Sequence, residues 1–107
     1  MHQAGSSVKS IVKEYKKFLL TRGISVERVI LYGSFAKGTQ REDSDIDLVV
    51  VSQDFQRMNL RERLELLGVA AVRIRKPIEA NGYTPSEIAL APKISFLNEI
   101  ITTGVNI

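Results

Sequence analysis

The sequence predicts a single α/β domain, in which helices and strands alternate along 107 residues around one small sheet. Apolar residues recur at helical spacing in two stretches, residues 8–19 and 60–74, and short runs of β-branched residues lie between and after them. Glycine, proline or polar residues separate these segments, and no repeat or linker divides the chain. We therefore expect one domain over residues 1–107, with a flexible terminus at residues 1–5.

The first helix is predicted to begin at Ser6 or Ser7, since serine is a good N-cap residue. Its apolar positions are separated by helical steps: Val8, Ile11, Val12, Tyr15, Phe18 and Leu19. Four lysines lie largely on the other face and are interpreted as solvated surface. The helix is expected to end at Arg22 and Gly23, where glycine can adopt the left-handed conformation. Residues 26–32, rich in Val, Ile, Leu and Tyr, are the first predicted strand.

Gly33 breaks this strand, and a short helix is predicted from Ser34 to Gly38. Residues 39–44 are polar and are expected to form a loop that leads into a second strand at residues 45–51. The length of the connection allows either a crossover or an antiparallel return, and the sequence does not decide between them.

The second half of the chain alternates in the same way. Residues 52–59 are a predicted connection, and residues 60–74 a helix with one apolar face: Leu60, Leu64, Leu67, Ala71 and Ile74. The arginines of this region are interpreted as solvated: Arg57, Arg61, Arg63, Arg73 and Arg75. A brief third strand is predicted at residues 77–80, because the residue before a proline disfavours a helix. A capping box at residues 84–87 begins a helical turn, and a final helix lies within residues 92–104.

The composition excludes several classes of protein. There is no cysteine, and therefore no disulfide framework, thiol nucleophile or zinc–cysteine cluster, which fits a reducing cytoplasm. No apolar run approaches the roughly 18 residues that span a bilayer, and the N-terminus lacks a signal-peptide core, so we expect a cytoplasmic location and no membrane. The formal net charge of +3 suits an anionic ligand. No nucleic-acid recognition motif is present, so nucleic acid is not an expected partner.

Two aspartates open the second predicted strand. Because side chains along a strand alternate with a period of two, Asp45 and Asp47 are expected to project from the same face. Such carboxylates repel each other, and a divalent cation between them relieves the repulsion. The alternatives are a solvated pair at a strand entrance or ligands for one structural calcium ion, although residues 43–47 lack the glycine and glutamate of an EF-hand loop.

A Gly33-Ser34 turn precedes these acids. A backbone that leaves a strand and enters a helix presents unpaired N–H groups, glycine lets a phosphate approach them, and the Ser34 hydroxyl can donate. By itself the dipeptide is more simply a plain turn with a serine N-cap. Together with the acids, however, it predicts Mg²⁺ shared with a nucleoside triphosphate.

One run of residues resembles the signature of the DNA polymerase β-like nucleotidyltransferase superfamily. The run is Gly33-Ser34-x9-Ser44-Asp45-x-Asp47, with Lys37-Gly38 between. Among the members of this superfamily, the chain is most similar to the stand-alone minimal nucleotidyltransferases. Residues 77–79 and 82–87 also resemble this family. The resemblance implies the nucleotidyltransferase fold, with elements in the order α-β-α-β-α-β-α around a small mixed sheet.

The resemblance also implies a third carboxylate on the strand that follows the next helix. Glu79 is the only acid in the predicted strand and takes this role. The plainer interpretation is a surface glutamate on an edge strand. The implied chemistry is two-metal catalysis, in which Asp45, Asp47 and Glu79 hold two Mg²⁺ ions. Gly33 and Ser34 then bind the β- and γ-phosphates of ATP.

Other charged residues near the signature are given no role. Glu42 and Asp43 are interpreted as solvated acids. Lys37 or an arginine of the third helix could contact phosphate, although surface solvation is the favoured interpretation of each.

The implied function is transfer of AMP from ATP to a hydroxyl acceptor on a partner protein. Minimal nucleotidyltransferases are commonly paired with a helical HEPN protein in toxin–antitoxin systems, as the antitoxin that can adenylylate a tyrosine of the toxin. A homo-oligomer is also compatible with so small a chain. The alternative function is a non-catalytic binding module that neutralises a partner protein by contact.

Overall fold

The structure is a computed structural model that describes residues 4–41, 44–91 and 95–107. The expectations for residues 1–3, for Glu42 and Asp43, and for Pro92 concern positions outside the described residues. The helices and strands follow in this order: α1 (Ala4–Thr21), β1 (Arg28–Tyr32), α2 (Ser34–Lys37), β2 (Ile46–Val51), a 3₁₀ helix (Gln53–Arg57), α3 (Leu60–Arg73), β3 (Ile78–Tyr83), α4 (Pro85–Ala89), α5 (Phe96–Thr103) and β4 (Val105–Asn106). Among the helices of the described ranges, none has the length and hydropathy that a bilayer span requires.

The strands form one mixed sheet in the order β3-β2-β1-β4. β1 pairs antiparallel with β2, which settles the question that the sequence left open. β2 pairs parallel with β3, and α3 makes the crossover between them. The predicted α/β class with a small mixed sheet is therefore confirmed.

The observed strands differ from the predicted ones at their ends. β1 begins at Arg28, two residues later than expected. β3 continues to Tyr83, because its ladder with β2 runs through the whole length of both strands. This pairing outweighs the low strand propensity of Asn81 and Gly82. The sequence indicated neither the 3₁₀ helix in the predicted connection nor the two-residue β4.

The two faces of the sheet bury different groups of side chains. On the first face, alternate residues of three strands pack with α1 and α3: Val29, Leu31, Leu48, Val50 and Ala80. On the second face, Ile30, Val49 and Val51 pack with Ile100 of α5. Because adjacent residues of a strand point to opposite faces, Asp47 and Glu79 belong to the second face.

The predicted apolar face of α3 is partly wrong. Leu67 is buried as expected, but Leu60 and Leu64 are 59% and 50% exposed. α3 is rotated relative to that prediction, so that Arg63 and Ala70 are buried instead. The outer side of the helix consequently carries an apolar surface, which we call the α3 apolar face: Leu60, Leu64, Val69 and Val72.

Arg63 is 4% exposed, which corrects its interpretation as a solvated arginine. Its guanidinium donates to the backbone carbonyls of Phe55 at 3.1 Å, Met58 at 3.0 Å and Gly82 at 3.2 Å. Two further hydrogen bonds, of 2.6 and 3.2 Å, reach the Glu87 carboxylate. Arg63 therefore satisfies buried carbonyl groups and joins α3 to the 3₁₀ helix, β3 and α4.

Arg63→Met is expected to lower the free energy of unfolding by about 2–4 kcal/mol, because buried carbonyl groups lose their donor. Arg61→Met is the matched control, since the Arg61 side chain is 87% exposed and its ion pair with Glu65 contributes at most about 1 kcal/mol. Urea denaturation of both variants measures the difference. Equal destabilisation would contradict the assignment of Arg63 as the buried connector.

The same contacts make stability depend on pH. The hydrogen bond from Arg63 lowers the pKa of Glu87 from its usual 4.5, against an opposing contribution from burial. A carboxylate with a lower pKa in the folded than in the unfolded chain stabilises the fold above its unfolded pKa, and this stabilisation is lost as the pH falls through the folded pKa. We expect the wild-type protein to be more stable than Glu87→Gln near neutral pH, and the difference to shrink below about pH 4.5. Urea midpoints measured across this pH range test the expectation, with Glu65→Gln, at an exposed position, as the control. A stability difference between wild type and Glu87→Gln that does not change with pH would contradict it.

Candidate active site

The strand register brings the main predicted acids together. Asp47 of β2 pairs with Tyr32 of β1 on one side and with Glu79 of β3 on the other. Directly opposed residues of paired strands point to the same face of the sheet. Tyr32, Asp47 and Glu79 therefore form a row across three strands, which we call the acid row.

The electrostatics of Asp47 reflect this crowding. Burial raises the pKa of its carboxyl, and the negative charges of Glu79 and then Asp45 raise it further. The Glu79 carboxyl is also close enough to share a hydrogen bond with Asp47, which raises the pKa again. Two carboxyl groups in this arrangement are stable with a proton between them or with a cation beside them.

Asp45 lies just outside the strand ladder. Its side chain is exposed, one residue before β2, yet near enough to affect Asp47. In the part of the chain that the structure describes, no three or more Asp, Glu, His or Cys side chains are gathered as a metal-binding group. The structure therefore brings Asp47 and Glu79 together and leaves Asp45 at the edge of the pair.

The turn at Gly33 is in direct contact with the acid row. Gly33 has φ 74° and ψ −152°, a conformation that essentially only glycine adopts. A Cβ at this position would overlap Oδ2 of Asp47 and stand 3.1 Å from its Cγ. The absence of a side chain at Gly33 is thus what allows the Asp47 carboxylate to lie against the turn.

The start of α2 is not capped by a side chain. Gly33 is the N-cap residue and Ser34 the first residue of the helix, so the simple interpretation of Ser34 as an N-cap is wrong. Backbone bonds from Lys37 to Gly33 at 3.2 Å and from Thr39 to Ser34 at 2.9 Å close the short helix. Lys37 itself is exposed. The first amides of α2 therefore lie beside the acids without a side-chain acceptor.

Sequence reasoning missed two further residues of this site, Tyr32 and Asn81. Burial, followed by the charge of Asp47, raises the pKa of the Tyr32 hydroxyl, and a hydrogen bond with the Asn81 side chain opposes this. The Tyr32 ring also packs edge-on with Phe96 of α5, with 6.1 Å between ring centroids and 83° between planes. A signal was present in the sequence: Tyr32 precedes the turn, and Asn81 follows Glu79 by one strand repeat.

A cavity of about 420 Å³ opens on the same face of the sheet. Its walls come from β2, β3 and the region of α5: Val49, Asn81, Tyr83, Ser95, Phe96, Leu97 and Ile100. Val49 and Asn81 each follow a member of the acid row by two residues. The cavity therefore lies next to the acid row, further along β2 and β3.

The residues present fit a divalent cation. Carboxylate oxygens are the ligands that Mg²⁺ prefers, and the raised pKa of Asp47 arises from burial and from negative charges that a cation would offset. The Asp47 carboxylate lies against Gly33, in the space that a side chain would otherwise fill. The geometry can thus accommodate a cation beside Asp47 and Glu79, next to the turn.

Two relatives from Methanocaldococcus jannaschii are similar in sequence, and each is described as a putative protein adenylyltransferase. One is 37% identical over 62 residues, which cover 58% of this chain and 61% of that protein. The other is 29% identical over 105 residues, which cover 91% of this chain and 95% of that protein.

Two solved structures resemble the fold. A putative nucleotidyltransferase from Sulfolobus solfataricus has a TM-score of 0.60 at 20% identity, covering 99% of this chain and 86% of that one. A toxin–antitoxin crystal structure with AMP-PNP has a TM-score of 0.57 at 24% identity, covering 87% and 70%. The model of the nucleotidyltransferase domain family matches residues 12–103, nearly the whole region that carries the sheet and its acids. This chain therefore belongs to the nucleotidyltransferase domain family.

Proposed function

We propose that this protein transfers AMP from ATP to a hydroxyl group of a partner protein, with release of pyrophosphate. The observation that carries the proposal is the juxtaposition of Asp47 and Glu79 beside the side-chain-free turn at Gly33. Family membership supports the reaction class, and the description of two relatives as putative protein adenylyltransferases supports a protein acceptor.

Mg²⁺ is part of this proposal. Asp47 and Glu79, joined by Asp45, would hold two ions, which would neutralise charge on the phosphates and lower the pKa of the acceptor hydroxyl. Asp45 is one residue from the ladder and exposed, so its side chain has room to turn toward the other two acids.

The remaining residues of the site position the triphosphate. The Gly33 turn lets the β- and γ-phosphates approach the first amides of α2, and the Ser34 hydroxyl donates a further hydrogen bond. In phosphoryl and nucleotidyl transfer a protein contributes mainly orientation and electrostatic stabilisation, so these contacts account for most of what the chain supplies.

We further propose that the acceptor is a tyrosine of a helical HEPN-type toxin and that this protein is its antitoxin. Support comes from the fold, which is shared with a crystal structure described as a toxin–antitoxin with AMP-PNP. The proposed substrate ATP and the metal ion Mg²⁺ are both present in the cytoplasm, so the proposed site of action is the cytoplasm.

The experiment uses ATP labelled on the α-phosphate, Mg²⁺ and the product of the neighbouring gene as acceptor. The expected result is label on a tyrosine of the partner, with none when the label is moved to the γ-phosphate. Transfer of the γ-label would indicate a kinase instead. Absence of transfer from either position would refute the proposed reaction.

The α3 apolar face favours a second function, neutralisation of a helical partner by contact alone. Val72 is 75% exposed and Leu64 50%, and apolar groups on an exposed helix face are typical of helix–helix contacts. Val72→Asp is expected to weaken capture of the partner, whereas Asp47→Asn retains it. If Asp47→Asn also neutralises the partner fully in cells, contact rather than AMP transfer is the function.

A further inference from the structure

We propose that the cavity beside the acid row binds the nucleoside part of the triphosphate, with Phe96 as the surface on which the base stacks. The proposal rests on the function proposed above and adds the position and the protein contacts of the nucleoside. It concerns Phe96 and Asn81, which neither the sequence signature nor the acid row includes.

The strand register fixes the distance between the acids and the cavity. Asp47 and Glu79 are followed, two residues further along β2 and β3, by the cavity residues Val49 and Asn81. A step of two residues along a strand is about 7 Å. An α-phosphate held at the acid row would therefore place the ribose at Asn81 and the base deeper in the cavity.

The direction of the substrate follows from the same register. The Gly33 turn lies beyond the end of β1, on the opposite side of the acid row from Val49 and Asn81. With the β- and γ-phosphates at the turn and the α-phosphate at the acids, the nucleoside continues along the sheet toward α5. In that direction the sheet leads into the cavity lined by Val49, Asn81 and Phe96.

The walls of the cavity match a nucleoside in chemistry. Val49, Leu97 and Ile100 supply apolar surface, and Phe96 and Tyr83 supply aromatic rings. Small-molecule sites commonly have volumes of about 300–1,000 Å³, apolar walls and a few convergent polar groups. The cavity of about 420 Å³ is within this range.

Phe96 is placed for stacking. Its side chain is 68% exposed, so ring surface is accessible to a ligand. The edge-on contact with Tyr32 holds the ring beside the acid row and leaves ring surface open to the cavity. A base stacked there would bury apolar surface that the protein alone leaves in water.

Asn81 supplies the polar contact. Its side chain lines the cavity two residues beyond Glu79, near enough to the Tyr32 hydroxyl to lower the pKa of that hydroxyl. An amide has both donor and acceptor capacity, so the Asn81 side chain can form a hydrogen bond with a ribose hydroxyl. Asn81 and Phe96 thus recognise two different parts of one nucleoside.

The test compares two ligands by calorimetry in the presence of Mg²⁺: ATP and inorganic tripolyphosphate, which lacks a nucleoside. Phe96→Ala is expected to raise the Kd of ATP about 10-fold or more and to leave the Kd of tripolyphosphate unchanged. Phe96→Tyr keeps an aromatic ring and is expected to restore ATP binding. Asn81→Ala is expected to weaken ATP binding selectively as well.

Leu90→Ala is the matched control, because Leu90 is an exposed apolar residue, 80% exposed, that does not line the cavity. An unchanged Kd of ATP in Phe96→Ala, with tripolyphosphate still bound, would overturn the nucleoside site and leave the triphosphate site standing. If Phe96→Ala lost labelling of the partner without any loss of ATP affinity, the nucleoside site would be overturned and the cavity would be an acceptor site. If the wild-type protein bound neither ligand, the proposed function would fail together with this inference.

Discussion

Asp47→Asn is expected to lower the rate of AMP transfer by on the order of 10³-fold or more, while leaving the fold intact. Asp47 is the central member of the acid row and contacts both Glu79 and the Gly33 turn. Asparagine keeps the shape of the side chain but removes the charge that a cation needs. The pKa of Asp47 is raised by burial and by Glu79, so ionisation of this carboxyl is less favourable in the folded than in the unfolded chain. The neutral variant is accordingly expected to be at least as stable near neutral pH.

Combined transfer assays and urea denaturation separate these effects. Glu65→Gln is the control, since it removes one carboxylate at an exposed position of α3 that is outside the acid row. It should retain both transfer and stability. Loss of one metal carboxylate does not permit more than about a tenth of the wild-type rate. If Asp47→Asn retained more than that, Asp47 would not belong to the reacting site.

Gly33→Ala is expected to abolish transfer and to destabilise the protein by about 2 kcal/mol or more. The backbone at Gly33 is in a region that residues with a side chain rarely adopt, with φ 74° and ψ −152°. The added Cβ would also overlap Asp47 Oδ2, so the carboxylate must leave its position. One methyl group thus removes both the phosphate-facing turn and the geometry of the acid row.

Gly38→Ala separates strain from displacement. Gly38 also has φ 74°, but its ψ of 18° is the ordinary left-handed conformation, and a Cβ there would meet nothing within 4 Å. This variant is expected to lose about 1 kcal/mol of stability and to keep transfer. Thermal melts and label transfer on both variants make the comparison. Gly33→Ala with transfer equal to that of Gly38→Ala would show that Asp47 does not depend on the turn.

The parts of the candidate site that could be predicted from sequence lie close together along the chain. Gly33, Ser34, Asp45 and Asp47 occur within one strand–turn–strand segment, where residue type and spacing indicate what the backbone does. The family resemblance predicts Glu79. Its position beside Asp47 depends on parallel pairing across α3, which no local pattern specifies.

The errors arise from contacts between distant segments. Helical spacing indicates that α3 has a buried side, but the rotation of the helix is set by what it packs against. The carbonyl groups of Phe55, Met58 and Gly82 provide acceptors that make burial of Arg63 favourable, and Leu60 and Leu64 consequently remain exposed. No feature of residues 60–74 alone could reveal those acceptors.

Apart from the 3₁₀ helix and β4, the sequence by itself determined which segments are helices and strands. It also determined where the glycine turn stands and which two acids follow it, because short-range periodicity and backbone preferences act within a few residues. Only the tertiary structure decided that β1 and β2 run antiparallel, that Tyr32, Asp47 and Glu79 share a row, and that a cavity under α5 continues from it. The physical reason is that strand register and helix rotation minimise the free energy of the whole packed sheet. Each segment's own pattern specifies a face but not the partner that covers it.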